Sequence, residues 1–327
     1  MKQIQFESFG PPSLVAKCVE VADVGAPSAW EVVVDIAAFP INVADLAMLA
    51  GRYGTLPKLP STIGMEASGT VAAVGSAVKD IQPGDRVVVL GNNNWAERRK
   101  LAVGAVHKVP GDCDLKQMAM LKVNPTTAQL LLTQFTTLSA NDWVLQNAPL
   151  SSVGRCVIQI AKASGYRTIN IVRRAETAAE VLALGGSHVI QDGADLADQV
   201  RAVVRHDPIK LGLDAVAGPG VQRMAECLSD GGLIVNYGML SNERCVLGPE
   251  QTIFRGISLQ GFWLSKLLNR LSLVERKSLF DGIADKIVAG QLSVPIDSCF
   301  AIQDISAAIQ RAEQNGRSGK VLVECSS

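Results

Sequence analysis

The first third of the chain is a succession of short apolar runs punctuated by Gly, Pro and charged residues. Met1-Lys2-Gln3-Ile4-Gln5-Phe6 reads as a first strand, and Glu31-Val32-Val33-Val34-Asp35-Ile36 and Ser68-Gly69-Thr70-Val71-Ala72-Ala73-Val74-Gly75 as later ones. Gln82-Pro83-Gly84-Asp85-Arg86 is a turn that feeds the strand Val87-Val88-Val89-Leu90. Repeated short strands with such turns predict an antiparallel, barrel-like domain. The pattern changes after Asp114. Leu115 to Gln134 carries helical spacing, with Leu121, Leu130 and Leu131 on apolar faces. Strand candidates Trp143–Gln146, Thr168–Val172, His188–Gln191, Leu213–Val216, Leu233–Tyr237 and Ile257–Gly261 then alternate with helical stretches. That alternation predicts an α/β fold, a doubly wound parallel sheet with helices on both faces. Leu267 to Ala289 is helical again, and Val321-Leu322-Val323-Glu324 reads as a final strand. The organisation expected is a barrel-type domain over 1–115, a sheet-and-helix domain over 116–264, and a return to the first domain over 265–327.

The junction after the first strand of the second domain carries the chemistry. Val144-Leu145-Gln146-Asn147 ends in the small-residue turn Ala148-Pro149-Leu150-Ser151, and a helix pattern follows from Ser152-Val153-Gly154. Strand, turn and helix in this order form the first half of a dinucleotide-binding fold. The helix N-terminus offers free N–H groups and a positive dipole end to a pyrophosphate. Ser151, Ser152, Val153 and Gly154 are therefore the candidate phosphate contacts. About twenty residues on, as the nucleotide fold's spacing requires, the strand Thr168–Val172 ends in Arg173-Arg174. An acid at that tip suits a ribose 2′-hydroxyl, whereas guanidinium groups suit a 2′-phosphate. A solvated helix-start pair is the other reading of the two arginines. The cofactor expected is NADPH.

Composition narrows the partners. The 327 residues are 48% hydrophobic and 19% charged, and 31 basic residues balance 31 acidic ones. No overall field draws the chain to nucleic acid or to an anionic membrane. No apolar run reaches the roughly 18 residues of a membrane span. The seven cysteines are odd in number, scattered and never in C-x-x-C spacing, which predicts neither a disulfide framework nor a structural zinc site and points to a cytoplasmic location. The three histidines share no spacing with one another or with acids, so surface or turn roles suffice for them.

With these elements in place the chain resembles the medium-chain dehydrogenase/reductase superfamily over essentially its whole length. Pro83-Gly84-Asp85-Arg86-Val87 and the ending Gly319-Lys320-Val321-Leu322-Val323 fit it. The resemblance implies a GroES-like catalytic domain joined to a Rossmann cofactor domain. Zinc alcohol dehydrogenases of the superfamily carry a Gly-His-Glu motif whose His binds catalytic zinc; the matching segment is Gly64-Met65-Glu66. A thioether suits such a dication poorly, so the expectation is a zinc-independent enzyme with no metal site. Within the superfamily the chain looks most like the mitochondrial-type 2-enoyl thioester reductases, with quinone oxidoreductases as relatives. The segments that carry this are Ile41–Leu46, Gly51–Pro60, Val123–Ala128, Gln146–Ala148, Thr168–Arg173 and Gly261–Ser265. The family's catalytic tyrosine, in a Tyr-Gly-x-Leu-Pro segment, falls on Tyr53. The phosphate turn departs from the family's pattern: Leu150 stands where a polar residue is usual, and Ser152 where glycine is usual.

The implied reaction is NADPH-dependent reduction of the C=C bond of a 2-enoyl thioester. A hydride reaches Cβ, and Tyr53 donates a proton or stabilises the enolate. A surface or lid aromatic is the plainer reading of Tyr53. Asn42 orients nicotinamide or substrate through its amide, while Asp45 is read as a helix cap. Asn124 precedes Pro125, where helix geometry is disfavoured, and is a cofactor candidate. Asn147 either meets the cofactor or stabilises its own turn. Gly238 and Met239 follow the fifth strand at the carboxyl edge where nucleotides bind. Phe262, Trp263 and Leu264 follow the sixth and lie, by resemblance, near nicotinamide and the acyl pocket; a core or interface aromatic pair is the alternative. Lys320 is a candidate for cofactor phosphate or ribose by resemblance, or else an exposed strand-edge lysine. Glu66 is expected to make a structural hydrogen bond. An NADPH:quinone or activated-alkene reductase is the runner-up function, and a non-catalytic NADPH-binding protein a third. The substrate is a small molecule in every enzymatic reading. The sixth strand is a natural edge for pairing across a two-fold axis, so a homodimer is expected.

Overall fold

The computed structural model describes residues 1–325, which form two compact units. One comprises Met1–Val123 together with the segment from Lys277 onward; the other is Asn124–Arg276. The first unit carries a small antiparallel sheet of Lys17–Glu20, Lys2–Phe6 and Ser61–Thr62. Its larger, seven-stranded sheet runs through Ile296–Ala301, Lys320–Glu324, Glu31–Pro40, Ala67–Val74, Arg86–Val89 and Val106–Lys108, and Arg98–Ala102 also pairs with Glu31–Pro40. All these pairings are antiparallel except that of Ile296–Ala301 with Lys320–Glu324.

Strand Glu31–Pro40 is central because it is β-branched and apolar on both faces: Val32, Val33, Val34 and Ile36 are all buried. It packs into a core with Ile4, Phe6, Leu49 and Trp95, and the Phe39 and Trp95 rings stack at 5.5 Å. Ile305, Ala308 and Ile309 of helix Ile305–Glu313 join the same core, as do Val321 and Val323, so the end of the chain completes the domain that its beginning starts. His107, expected at a surface or turn position, is instead buried in strand Val106–Lys108 against the Phe280 ring.

The second unit is the parallel sheet that the alternation predicts. Its strands are Trp143–Asn147, Arg167–Val172, His188–Gln191, Ile209–Asp214, Leu233–Asn236 and Ser258–Gly261. Numbered along the unit, they lie side by side in the order 3-2-1-4-5-6, every neighbour parallel. Helices cover both faces. Leu196, Val200, Val221 and Met224 pack on one with Leu145, Ile169 and Ile234, whereas Ile158 and Val181 meet Val172 on the other. The strand order reverses direction at Trp143–Asn147, the position where such sheets bind nucleotides beyond their carboxyl ends.

Three elements differ from the sequence expectation for identifiable reasons. The fourth strand runs Ile209–Asp214 rather than Leu213–Val216, because the Asp214 carboxylate accepts the N–H groups of Val216 and Ala217 and turns the chain, leaving Ala217 at φ +66°. The stretch Leu115 to Gln134 divides into Leu115–Met118 and Asn124–Thr133, the second helix starting with Pro125 in its first turn. The stretch Leu267 to Ala289 divides into Leu264–Leu268 and Leu273–Val288, since Ser272 and Glu275 exchange side-chain and backbone bonds in a capping box that starts a new helix.

Candidate active site

The phosphate turn is built by packing and capping together. Ser151 is the N-cap of helix Ser152–Ala163, and its hydroxyl accepts the Gly154 N–H at 3.1 Å. Ala148 sits at φ +47° and its carbonyl accepts the Ser151 N–H. A Cβ on residue 154 would lie 2.5 Å from that carbonyl oxygen and 2.8 Å from Pro149, so only glycine lets the helix seat against the turn. Gln146 supports the arrangement from the sheet, donating to the Gly154 carbonyl at 3.2 Å and to Asn170 at 2.7 Å. The N–H groups of Ser152 and Val153 meet no acceptor among the described residues, as expected for the first turn of a helix. These amides could hold a pyrophosphate.

Asn147 is engaged at both ends of its amide. Nδ2 donates to Asp214 Oδ1 at 2.6 Å, and Oδ1 accepts the Ala215 N–H at 2.8 Å. The other Asp214 oxygen takes Asn236 Nδ2, also at 2.6 Å. Three adjacent strand ends are thereby tied at the carboxyl edge of the sheet. The sequence reading missed this network and its centre, Asp214. It also assigned nothing to Tyr237, whose hydroxyl is enclosed beside Ser151 and whose pKa burial pushes up. Gly238, which follows, has its own requirement: a Cβ there would meet the Ala215 carbonyl oxygen at 2.6 Å. Met239 is exposed beyond it.

Arg173 and Arg174 stand exposed just past strand Arg167–Val172. Arg174 pairs with Glu176 at 3.5 Å, with both side chains exposed, which is a weak pairing. Phe262, Trp263 and Leu264 are half-buried after the edge strand; Phe262 meets the Phe135 ring, and the Lys266 ammonium lies 4.8 Å over the Trp263 ring. Asn124 is 4% exposed, and its Nδ2 has no acceptor among the described residues. A buried amide donor without a partner is a group that a ligand oxygen satisfies.

The first unit holds a buried ionic cluster. Asn42 is the N-cap of helix Val43–Leu49, and the Asp45 carboxylate accepts its backbone N–H at 2.9 Å. Asp45 therefore closes the cap from the third helical position, while its other oxygen takes the Met65 N–H at 3.2 Å. Glu66 accepts Asn42 Nδ2 at 2.9 Å and the Val123 N–H at 2.7 Å, the structural bonding expected of it. The Lys122 ammonium donates to the carbonyls of Met65 at 2.6 Å and Gly91 at 3.3 Å. Lys320 is 5% exposed and lies in an interior strand, not at an exposed edge. Burial raises Asp45 to about 6 and pushes Glu66 upward as well, with the Asn42 bond and the Lys320 and Lys122 charges opposing; burial pulls Lys122 downward against the attraction of Glu66. Tyr53 lies half-buried on the loop after this helix.

Met65 is half-buried between Gly64 and the buried Glu66, and among the described residues no group of three metal-ligating side chains comes together. Among those residues no helix is long and apolar enough to cross a membrane.

Comparison with known proteins fits this picture. Residues 28–112 match the family model described as alcohol dehydrogenase GroES-like domain, and residues 152–276 the one described as zinc-binding dehydrogenase. The mitochondrial enoyl-[acyl-carrier-protein] reductase of Dictyostelium discoideum is 32% identical over 99% of the chain and 94% of its own length. The protein of the same name from Homo sapiens is 35% identical over 99% of the chain and 88% of its own length. Among solved structures, a Bacillus thuringiensis protein assigned as an NADPH:quinone reductase superposes with a TM-score of 0.92 at 27% identity, covering 99% of this chain and 98% of that one.

Proposed function

This chain belongs to the medium-chain dehydrogenase/reductase superfamily and, within it, to the enoyl thioester reductase family, and from that membership we propose that it reduces the C=C bond of 2-enoyl thioesters with NADPH. The observation that carries the reading is similarity to enoyl-[acyl-carrier-protein] reductases along the entire chain. The residues present suit the cofactor: the Ser152 and Val153 amides and Asn124 Nδ2, which meet no acceptor among the described residues, and the exposed Arg173-Arg174 pair. Bound NADPH supplies a hydride for the substrate Cβ.

The chain's own residues do the rest. The Ser152 and Val153 amides hold the pyrophosphate, with Ser151 and Gly154 fixing their direction. Arg173 and Arg174 take the 2′-phosphate. Asn147 acts through Asp214 by tying the strand ends, and Gly238 keeps the backbone beside them low. Asn124 satisfies a cofactor oxygen, while Met239, Phe262, Trp263 and Leu264 give the nicotinamide and acyl groups an apolar surface. Tyr53 donates a proton towards Cα or stabilises the enolate oxygen, and Asn42, held by Glu66, helps orient nicotinamide or substrate. Lys320 and Lys122 balance the two buried carboxylates.

A quinone or activated-alkene reductase is the second reading, favoured by the Bacillus thuringiensis structure. Tyr53 supports the first, because a reduced quinone can take its protons from water. Turnover of crotonyl-CoA against a simple quinone, both at saturating NADPH, decides between them. NADPH binding without oxidation by either class would leave a non-catalytic binding protein. The all-exposed edge strand Ser258–Gly261 supports a homodimer, which sedimentation tests. The seven cysteines are unbridged, which supports a reducing compartment. Cell fractionation decides between the cytoplasm and the mitochondria for which the relatives are named.

A further inference from the structure

Arg155 is out of place for stability alone. It lies in the first turn of helix Ser152–Ala163 and is 6% exposed. A cation there opposes the positive end of the helix dipole, and burying a guanidinium has a desolvation penalty. Yet both of its contacts lead to elements already assigned to the nucleotide. Nε donates to the Leu150 carbonyl at 3.1 Å, inside the phosphate turn. A terminal nitrogen pairs with Glu180 on helix Ala178–Ala183, which follows Arg173-Arg174 after one 3-10 turn, Ala175–Thr177.

We propose that Arg155 is a positioning residue for the nucleotide: by holding the Leu150 carbonyl it sets the direction of the Ser152 and Val153 amides, and it adds a fixed positive charge to the turn that would hold the pyrophosphate. The inference rests on the cofactor reading above. The Leu150 side chain is apolar and offers the turn no polar contact of its own, so the turn's shape is held from its backbone by the guanidinium. Glu180 holds the far side of that group and keeps its planar fork in register with Leu150.

The test measures NADP⁺ and 2′-AMP binding by calorimetry to wild type, Arg155→Met and Arg155→Lys, with turnover at saturating NADPH and the melting temperature of each ligand-free protein. The Met variant is expected to bind NADP⁺ about tenfold more weakly, the loss of a charge-assisted hydrogen bond. Its affinity for 2′-AMP, which lacks a pyrophosphate, and its turnover at saturation should stay within about twofold of wild type. Unchanged NADP⁺ affinity overturns the inference, and so does an equal loss for both ligands with a fall in melting temperature, which means general damage. Should the Met variant not fold, the Lys variant carries the test. An ammonium cannot serve Leu150 and Glu180 in the same fork, so NADP⁺ is expected about threefold weaker with 2′-AMP unchanged; equal NADP⁺ affinity overturns the inference. Failure of the wild type to bind NADP⁺ at all sinks the cofactor reading, and the role of Arg155 with it.

Discussion

Asn42 Nδ2 donates to one oxygen of Glu66 at 2.9 Å, while the other Glu66 oxygen takes the Val123 N–H at 2.7 Å. The carboxyl is thus fully used, in a buried setting that raises its pKa. A carboxyl raised on folding holds its proton more tightly when folded. Its contribution to stability is complete below the ordinary value of 4.5 and is lost as the pH rises towards neutrality. Glu66→Gln has no such limb, although it loses one of the two acceptors. The variant should be less stable than wild type at pH 5, and the gap should shrink by about 1–3 kcal/mol by pH 8. Asp45 titrates in both proteins and cancels. Urea denaturation at the two pH values checks this; a gap independent of pH would show that Glu66 is not raised.

Tyr53→Phe removes a hydroxyl and little else. If that hydroxyl gives the proton or holds the enolate, turnover of crotonyl-CoA should fall roughly tenfold or more, the lower range for a general acid. NADPH affinity should stay the same. Fluorescence titration and steady-state rates on the same preparation measure both, and unchanged turnover in a folded protein would take Tyr53 out of the mechanism.

How far the sequence disclosed this depends on the distance between partners. The parallel sheet and its phosphate turn were legible because strand, turn and helix follow one another locally, and hydrophobic period reports local structure. The ends of elements were less so. Asp214 stops the fourth strand with its own side chain, and Ser272 with Glu275 divides one helical stretch into two although the S-x-x-E signature is present. The cap between Asn42 and Asp45 follows from spacing, but their meeting with Glu66, Lys122 and Lys320 was beyond spacing arguments. Those three come from separate segments that only the folded domain assembles, and no residue type among them is unusual alone. Arg155 was hidden similarly, since a single arginine in a helix ordinarily means a solvated face.

Cofactor choice should reside in Arg173 and Arg174. Both are exposed, so their attraction to a phosphate is screened by salt. Replacing both by Ser should raise KM for NADPH by about tenfold or more and change KM for NADH by less than about twofold, because NADH carries no 2′-phosphate. Raising the salt concentration should reduce the wild type's preference in the same direction. Equal effects on the two cofactors would defeat the assignment.

The absence of a metal-ligating cluster among the described residues, with a thioether at Met65, has a direct consequence for metal removal. Prolonged dialysis against EDTA or a tighter zinc chelator should leave both turnover and melting temperature unchanged. Loss of activity that added zinc restores would put a metal in the reaction.

The return segment is tied to its own helix by a half-buried ion pair. Asp297, in strand Ile296–Ala301, accepts Arg311 Nε at 2.8 Å and a terminal Arg311 nitrogen at 2.6 Å, from helix Ile305–Glu313. Ser298 Oγ and the Ser318 N–H donate to the same carboxylate. The Arg311 bond in particular holds the Asp297 pKa down to about 2, against an ordinary 3.8. A lowered carboxyl contributes stability that is present above its unfolded value and lost as the pH falls through its folded one. Arg311 is a third exposed, so the full shift overstates the contribution, which we place at about 1–2 kcal/mol near neutral pH. Asp297→Asn should lose that amount at pH 7 and converge on wild type as the pH approaches 2. Urea midpoints at pH 7 and pH 3 measure the difference, and a loss that is the same at both would assign the effect to altered packing in place of charge.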